Sequence, residues 1–250
     1  MDTNMTPKVS IQMCTYNRAH FIKQAIKSIL AQNFSDWELI ILDDSSTDNT
    51  KEIITPFLSD ARIRYIRNEL NLGITKNRNK ILSVSRGEYI AVLDSDDFWI
   101  NSSKLEKQVE FLEQNTKYAL VGTNMQIVDE EGHPTNKIYY AENDKNIRSR
   151  ILIKNQFCHS SVLYRKNNFT YDESLSIWED YDLWLRIGLE NKFANLPIFG
   201  VAYRRHSTQS DSQKRKESLK SLDGIIKKYK NNYPNYFLAY FVQIIRKFRG

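Results

Sequence analysis

The stretch Tyr89-Ile90-Ala91-Val92-Leu93-Asp94-Ser95-Asp96-Asp97 places three carboxylates directly behind an apolar run. The run is typical of a buried strand, and side chains two apart on an extended chain, as at Asp94 and Asp96, point to the same side. No thiol or imidazole adjoins them in the sequence, and such an oxygen pair suits Mg²⁺ or Mn²⁺, especially where diphosphate oxygens complete the shell. The alternative is a helix N-cap at Asp97 or Ser102, which explains one acid and not three.

Strand-like and helix-like segments alternate around this stretch in the first half of the chain. The sequence predicts strands at 9–13, 37–42, 63–67 and 89–93, and helices at 19–31, 47–58 and 75–85. Strands separated by helices of this length favour an α/β fold with a mostly parallel, Rossmann-like sheet flanked by helices. Ligands bind such sheets at the carboxyl ends of the strands. Polar residues follow three of these ends, at 16–17, 43–44 and 94–97, so we expect one crevice there.

The second half reads as a mixture of longer strands and helices without a clear linker. Helices are predicted at 103–113, 143–154, 177–189, 212–230 and 235–248, and strands at 118–128, 137–140, 160–164 and 201–205. Because no Pro/Gly-rich segment separates the two halves, we expect the second to pack onto the first sheet as part of one domain.

Charge and composition narrow the classes of function. The net charge of the 250 residues is +6, yet residues 201–250 hold 12 Lys/Arg against 3 Asp/Glu. A basic tail suits an anionic surface such as phospholipid, a lipid-linked phosphate or nucleic acid, and no zinc-finger or helix-turn-helix signature favours the last. No run of about 18 apolar residues predicts a spanning helix. With only Cys14 and Cys158, no disulfide framework is implied, which fits a reducing cytoplasm.

Five motifs, in this order, resemble the family 2 inverting glycosyltransferases of the GT-A fold. They are TYNR at 15–18, DDSSTD at 43–48, NLGITKNRN at 71–79, DSDD at 94–97 and WEDYDLW at 178–184. Each is weak alone, and their order and spacing carry the resemblance, which covers residues 8 to about 206. It implies a GT-A domain at 1–206, divided into a nucleotide-binding half (1–100) and a smaller acceptor-binding half (101–206). A basic helical extension at 207–250 would follow.

The resemblance also implies which residues hold the donor. The nucleotide contacts would be Thr15, Tyr16, Asn17, Asp44, Arg78, Asp94 and Ser95. Tyr16 would offer an aromatic face to the base and Asp44 an acceptor for the uracil N–H, although the acids at 43–44 also suit a turn or cap. Asp96 would ligate Mn²⁺ or Mg²⁺, through which the diphosphate binds. His206 would be a second ligand, against the usual structural role of a lone histidine.

Asp180 falls where this family keeps its general base. Inversion needs one carboxylate to take the proton of the acceptor hydroxyl while its oxygen attacks opposite the leaving diphosphate. Trp178 and Glu179 would lie on the acceptor side, with Trp178 either a sugar platform or a core residue. The alternative for Glu179 and Asp180 is a pair of helix-start acids that face the helix dipole. Trp184 fits the core.

The function that the resemblance implies is metal-dependent transfer of one sugar from a nucleotide sugar, taken as a UDP-sugar. The acceptor would be a glycan or lipid-linked molecule in polysaccharide or lipopolysaccharide synthesis; the Gln-x-x-Arg-Trp segment of processive synthases is absent. One alternative is a nucleotidyltransferase, disfavoured because no Gly-rich loop follows the first strand. The other is a GT-A module that binds nucleotide or glycan without catalysis. The aromatic, basic segment at 236–249 would contact the inner face of the membrane, the protein's own core or a second subunit in a homodimer.

Overall fold

The computed structural model describes residues 6–207 and 215–248, and within them one nine-stranded sheet. The strands are β1 (Val9–Thr15), β2 (Trp37–Asp43), β3 (Ile63–Arg67), β4 (Tyr89–Val92), β5 (Phe98–Trp99), β6 (Tyr118–Val128), β7 (Pro134–Ile138), β8 (Leu163–Arg165) and β9 (Lys192–Arg204). The helices are α1 (Ile22–Leu30), α2 (Thr50–Ile54), α3 (Ile74–Val84), α4 (Lys104–Gln114), α5 (Asp144–Ile151), α6 (Glu179–Ile187), α7 (Arg215–Lys228) and α8 (Tyr236–Phe248). Short 3₁₀ helices cover Thr55–Ser59 and His159–Ser161.

The first half of the chain forms the parallel part of the sheet, in the order β3-β2-β1-β4. Val9 is in register with Trp37 on one side and with Tyr89 on the other. The central strands β1, β2 and β4 are buried almost throughout, as their near-continuous apolar runs require when helices cover both faces. The predicted strands, the helices predicted at 19–31 and 75–85 and the α/β class are confirmed here.

The second half extends the same sheet with mixed strand directions. Strand β8 runs antiparallel to both β4 and β6, while β6 and β9 are parallel. The short strand β5 pairs with β9, and the hairpin strand β7 pairs with β6, which completes the sheet. One hydrogen-bonded sheet therefore carries side chains from both halves to the same region.

Three predicted elements differ from the observed ones. The helix predicted at 47–58 is a short α-helix that continues as the 3₁₀ helix Thr55–Ser59, where Pro56 lacks an N–H. The strand predicted at 160–164 is a 3₁₀ turn followed by β8. The strand predicted at 201–205 begins at Lys192. Pro197 and Gly200 argue against a strand in the sequence, but shifts of register opposite β6 accommodate them.

The C-terminal helices join the core of the second half around α6. Trp184 is fully buried there, which confirms its predicted core role. Tyr229, directly after α7, donates to Asp182 Oδ1 at 2.9 Å, and Tyr233 donates to the Leu185 carbonyl at 2.7 Å. In the described part of the chain, we find no helix with the length and apolar character to cross a bilayer.

Candidate active site

A cavity of about 1020 Å³ opens where β1, β2 and β4 end and the second half of the chain closes over them. Its wall includes Thr15, Tyr16, Asp44, Arg78, Asp94, Ser95, Asp96, Trp178, Glu179 and Asp180. The predicted site residues thus meet in one place, although they come from segments far apart in the chain. Two others, Asn17 and His206, are described but do not belong to the wall.

Asp44 fixes the loop at 68–73, which borders the cavity. Its Oδ1 accepts from the Leu72 amide at 2.8 Å and from Asn68 at 2.9 Å, and its Oδ2 accepts from the Gly73 amide at 2.9 Å. Burial opposes ionisation, but these hydrogen bonds keep the pKa of Asp44 below its usual value. The turn predicted as an alternative for these acids belongs instead to Asp43, which accepts from the Ser46 amide at 2.8 Å.

The segment after β1 separates the roles of Tyr16 and Asn17. Tyr16 is 45% exposed and borders the cavity, in a position to offer its ring to a planar ligand. Asn17 has a left-handed backbone (φ 52°), which asparagine tolerates, and its side-chain oxygen accepts from the Thr47 amide at 2.8 Å. Asn17 therefore shapes the loop, and it does not belong to the cavity wall.

Asp94 lies against a guanidinium and an imidazole that the fold brings from other segments. His159 Nδ1 lies 3.2 Å from Asp94 Oδ2, and Arg78 Nη2 lies 3.3 Å from Asp94 Oδ1. Burial raises the carboxyl pKa, but the charges of His159 and Arg78 hold the pKa of Asp94 well below its usual range. His159 lies 65 residues further along the chain than Asp94, and the fold brings the two side chains together.

Asp96 and His206 form the pair that fits a divalent cation. His206 Nε2 lies 3.1 Å from Asp96 Oδ2, and adjacent ligands of an octahedral ion at about 2.1 Å lie about 3 Å apart. Carboxylate oxygen with imidazole nitrogen is a donor set that first-row divalent ions accept. Arg18 Nε also lies 3.3 Å from the same Asp96 oxygen, so an ion at this place would share the carboxylate with a guanidinium.

Asp97 is the structural member of the acidic motif. It accepts from Ser160 Oγ at 2.5 Å and from the Arg204 amide at 2.9 Å, and its side chain is buried. Burial, with the charges of Asp96 and Asp94, raises the pKa of Asp97 well above its usual value. It anchors β9 to the end of β4 and is not a helix cap.

A second group of possible cation ligands lies on the exposed hairpin between β6 and β7. Asp129, Glu131 and His133 bring their ligand atoms within 4.8 Å of one another. Exposed acidic groups are common without an ion, and this hairpin lies outside the cavity wall.

Asp180 lies in the first turn of α6, on the opposite side of the cavity. Burial and the adjacent charge of Glu179 raise the pKa of Asp180 to about 6. Glu179 Oε1 in turn lies 2.6 Å from Arg78 Nη1, so one buried guanidinium connects this side to Asp94. A carboxylate with a pKa near neutrality is suited to accept a proton.

Trp178 has a backbone conformation that a bulky residue rarely adopts. Its φ of 66° is left-handed, at a cost of about 1–3 kcal/mol, and its indole Nε1 donates to Ser218 Oγ at 2.9 Å. Ser218, Leu219, Leu222 and Arg246, all from α7 and α8, also line the cavity. No motif in the sequence predicted that the basic tail contributes to the site wall.

The comparisons with known proteins agree with this geometry. The model of the family "Glycosyl transferase family 2" matches residues 10–171. An Escherichia coli relative, UDP-Glc:alpha-D-GlcNAc-diphosphoundecaprenol beta-1,3-glucosyltransferase WfgD, is 34% identical over 219 residues, which cover 86% of this chain and 84% of the relative.

Two solved structures share the fold at low sequence identity. Staphylococcus aureus TarS 1–349 in complex with UDP-GlcNAc matches with a TM-score of 0.74 and 21% identity, over 94% of this chain and 70% of that one. The mannosyltransferase PcManGT from Pyrobaculum calidifontis, in complex with GDP-Man and Mn²⁺, matches with a TM-score of 0.70 and 15% identity, over 94% of this chain and 68% of that one. The predicted GT-A fold is confirmed.

Proposed function

The chain belongs to glycosyl transferase family 2, and we propose that it is a metal-dependent, inverting hexosyltransferase that moves one sugar from a UDP-sugar to an acceptor hydroxyl. The observation that carries this proposal is the half-buried Asp180, whose pKa is raised to about 6 in a cavity shared with Asp94 and Asp96. The nucleotidyltransferase alternative is set aside because the family is a glycosyltransferase family.

The donor would bind at the ends of β1, β2 and β4. Tyr16 offers an exposed ring to the base. The 68–73 loop, which Asp44 holds through backbone hydrogen bonds, also lines the cavity. Arg18 and Arg78 supply positive charge near Asp96 and Asp94, where a diphosphate would need it. Asp96 and His206 would hold Mn²⁺ or Mg²⁺, which would offset the charge that develops on the leaving diphosphate.

Asp180 would act on the acceptor. With its pKa near 6, the side chain is largely ionised at neutral pH and can take the proton of the acceptor hydroxyl as its oxygen attacks. Attack opposite the diphosphate inverts the anomeric carbon, and one base is enough for that geometry. Glu179 is held by Arg78 and Trp178 by Ser218, so both would shape the acceptor side without taking the proton.

The acceptor would be a glycan or a lipid-linked sugar of polysaccharide or lipopolysaccharide synthesis. The support is the name of the WfgD relative, whose acceptor is a diphosphoundecaprenol-linked GlcNAc. TarS in complex with UDP-GlcNAc supports a UDP-sugar donor. Such an acceptor would place the enzyme on the cytoplasmic side of a membrane.

The test is turnover of UDP-sugars by the wild-type chain and by Asp180→Asn. We expect the variant to lose about 10²–10⁴-fold in kcat, because a positioned base contributes that much. It should still bind UDP, since Asp180 lies on the acceptor side. A matched control is Asp172→Asn, an exposed-loop carboxylate that accepts from Ser174.

Two results would contradict the assignment. One is an Asp180→Asn enzyme that keeps more than about a tenth of wild-type kcat, which is too much for a missing base. The other is wild-type chain that binds UDP and turns over no nucleotide sugar, which would favour the non-catalytic binding module.

A further inference from the structure

Helix α8 presents an aromatic stripe to solvent. Phe237, Phe241 and Phe248 are 85%, 59% and 86% exposed. Their spacing of four and seven residues keeps them on one face of the helix. A soluble surface normally shows apolar residues singly, so three exposed phenylalanines in line mark an interaction site.

The opposite face of α8 carries the polar residues and is turned inward. Gln243 is fully buried and donates to the Leu219 carbonyl at 3.0 Å, and Arg246 donates to the Ile153 carbonyl at 3.0 Å. Ala239, one turn before Gln243, is buried as well. The helix is thus fixed to the protein by hydrogen bonds, with its apolar side outward, the reverse of an ordinary surface helix.

Exposed lysines lie beside the stripe. Lys227 Nζ lies 5.9 Å from the Tyr240 ring centroid, Lys230 is exposed, and the exposed Lys247 is ion-paired with Asp223. Aromatic side chains bordered by lysines suit the headgroup region of an anionic bilayer, where the rings reach the acyl boundary and the charges meet phosphate. If a second copy of the chain covered this face instead, that copy would have to present acidic residues to the lysines.

The stripe and the cavity belong to the same helix. Arg246 lines the cavity and lies about half a helical turn round from Phe237, so the two surfaces are separated by about one helix diameter, roughly 10 Å. We propose that the aromatic stripe of α8 inserts into the headgroup region of an anionic phospholipid bilayer, which would hold the cavity about one helix diameter from the membrane. Membrane binding would bring the enzyme to the surface that holds a lipid-linked acceptor. That benefit rests on the proposed function, whereas membrane binding itself does not.

The experiment is co-sedimentation of the full-length chain with vesicles of phosphatidylcholine containing phosphatidylglycerol, and with pure phosphatidylcholine. We expect wild-type chain to sediment with the anionic vesicles and to be released by salt, which screens the lysines. The variant Phe237→Ser/Phe241→Ser/Phe248→Ser should lose at least about tenfold in partitioning, since little buried apolar area remains. Tyr139→Ser is the control, because Tyr139 is 71% exposed and lies outside α8.

Calorimetric binding of UDP to each variant separates this proposal from the proposed function and reports whether the fold is intact. Hydrogen exchange of unmodified chain at 236–248 gives a second measurement, and slower exchange with anionic vesicles supports insertion. The proposal is overturned if wild-type chain stays in the supernatant at low salt, if the triple variant partitions like Tyr139→Ser, or if exchange at 236–248 is unchanged. A lipid-independent dimer that the triple variant abolishes would overturn it in favour of a subunit interface.

Discussion

Arg78 is the cation that connects Asp94 at one side of the cavity to Glu179 at the other. Its side chain is 9% exposed and that of Glu179 is 8% exposed, with 2.6 Å between Nη1 and Oε1. Its second contact, to Asp94 at 3.3 Å, involves a carboxylate that is 30% exposed. Arg78→Met removes the charge and keeps much of the apolar length of the side chain.

The size of the effect follows from these exposures. Removing one partner of a buried ion pair costs about 3–5 kcal/mol, because the remaining charge is left without compensation. The more solvated Asp94 contact adds about 0–1 kcal/mol. We therefore expect Arg78→Met to lower the free energy of unfolding by about 3–6 kcal/mol. Adding Glu179→Gln removes the stranded charge, so the double variant should recover about 1–3 kcal/mol of that loss.

Urea unfolding of the four proteins measures this cycle, with the m-value as a check that the transition stays two-state. Lys8→Met is the matched control, since Lys8 also bridges two carboxylates, Glu88 and Glu113, but at the surface. It should lose no more than about 1 kcal/mol. Equal losses from Arg78→Met and Lys8→Met would refute the reasoning, as would a double variant whose loss is the sum of the single losses.

Three other predictions concern the metal, the base and a tight backbone contact. Asp96→Ala should remove most UDP binding, and EDTA should do the same to wild-type chain; equal calorimetric affinity with and without EDTA would contradict the metal site. The rate of transfer should fall about tenfold per pH unit below about pH 6, because protonated Asp180 cannot accept a proton, and a flat profile from pH 5 to 7 would contradict this. Gly87→Ala should cost about 1–3 kcal/mol, because a Cβ there would lie 2.4 Å from the Ser10 backbone nitrogen. The helical Gly224→Ala, with open space around its Cβ, should instead stabilise by about 0.5–1 kcal/mol in the same unfolding assay.

The parallel half of the sheet could be predicted because its signals are local. The four strands are four to seven residues long and mostly apolar, and each ends at a turn or an acid that the sequence shows directly. Strand β9 was predicted too short for a physical reason. Pro197 and Gly200 argue against a strand locally, whereas pairing with β6 over its full length outweighs that preference.

The acids of the site could be predicted, and most of their partners could not. The family resemblance paired His206 with Asp96 as metal ligands, and the fold brings the two side chains to 3.1 Å. No local pattern paired His159 with Asp94, to which the fold also brings it. These contacts depend on where β8 and β9 lie in the sheet, which no local pattern contains. The same holds for Trp178, whose contact with Ser218 requires α7 to fold back over α6.

The partners of the acids bear on what metal removal should do. Asp94 faces Arg78 and His159, Asp96 faces Arg18 and His206, and Asp97 is hydrogen-bonded to Ser160. These protein partners relieve part of the repulsion within the motif, and the raised pKa of the buried Asp97 relieves more of it, because it favours the uncharged form of that carboxyl. We therefore expect EDTA to weaken UDP binding while the midpoint of thermal unfolding, measured without nucleotide, changes little. An unchanged midpoint would mean that the protein groups around the motif, and not a bound ion, stabilise this part of the sheet.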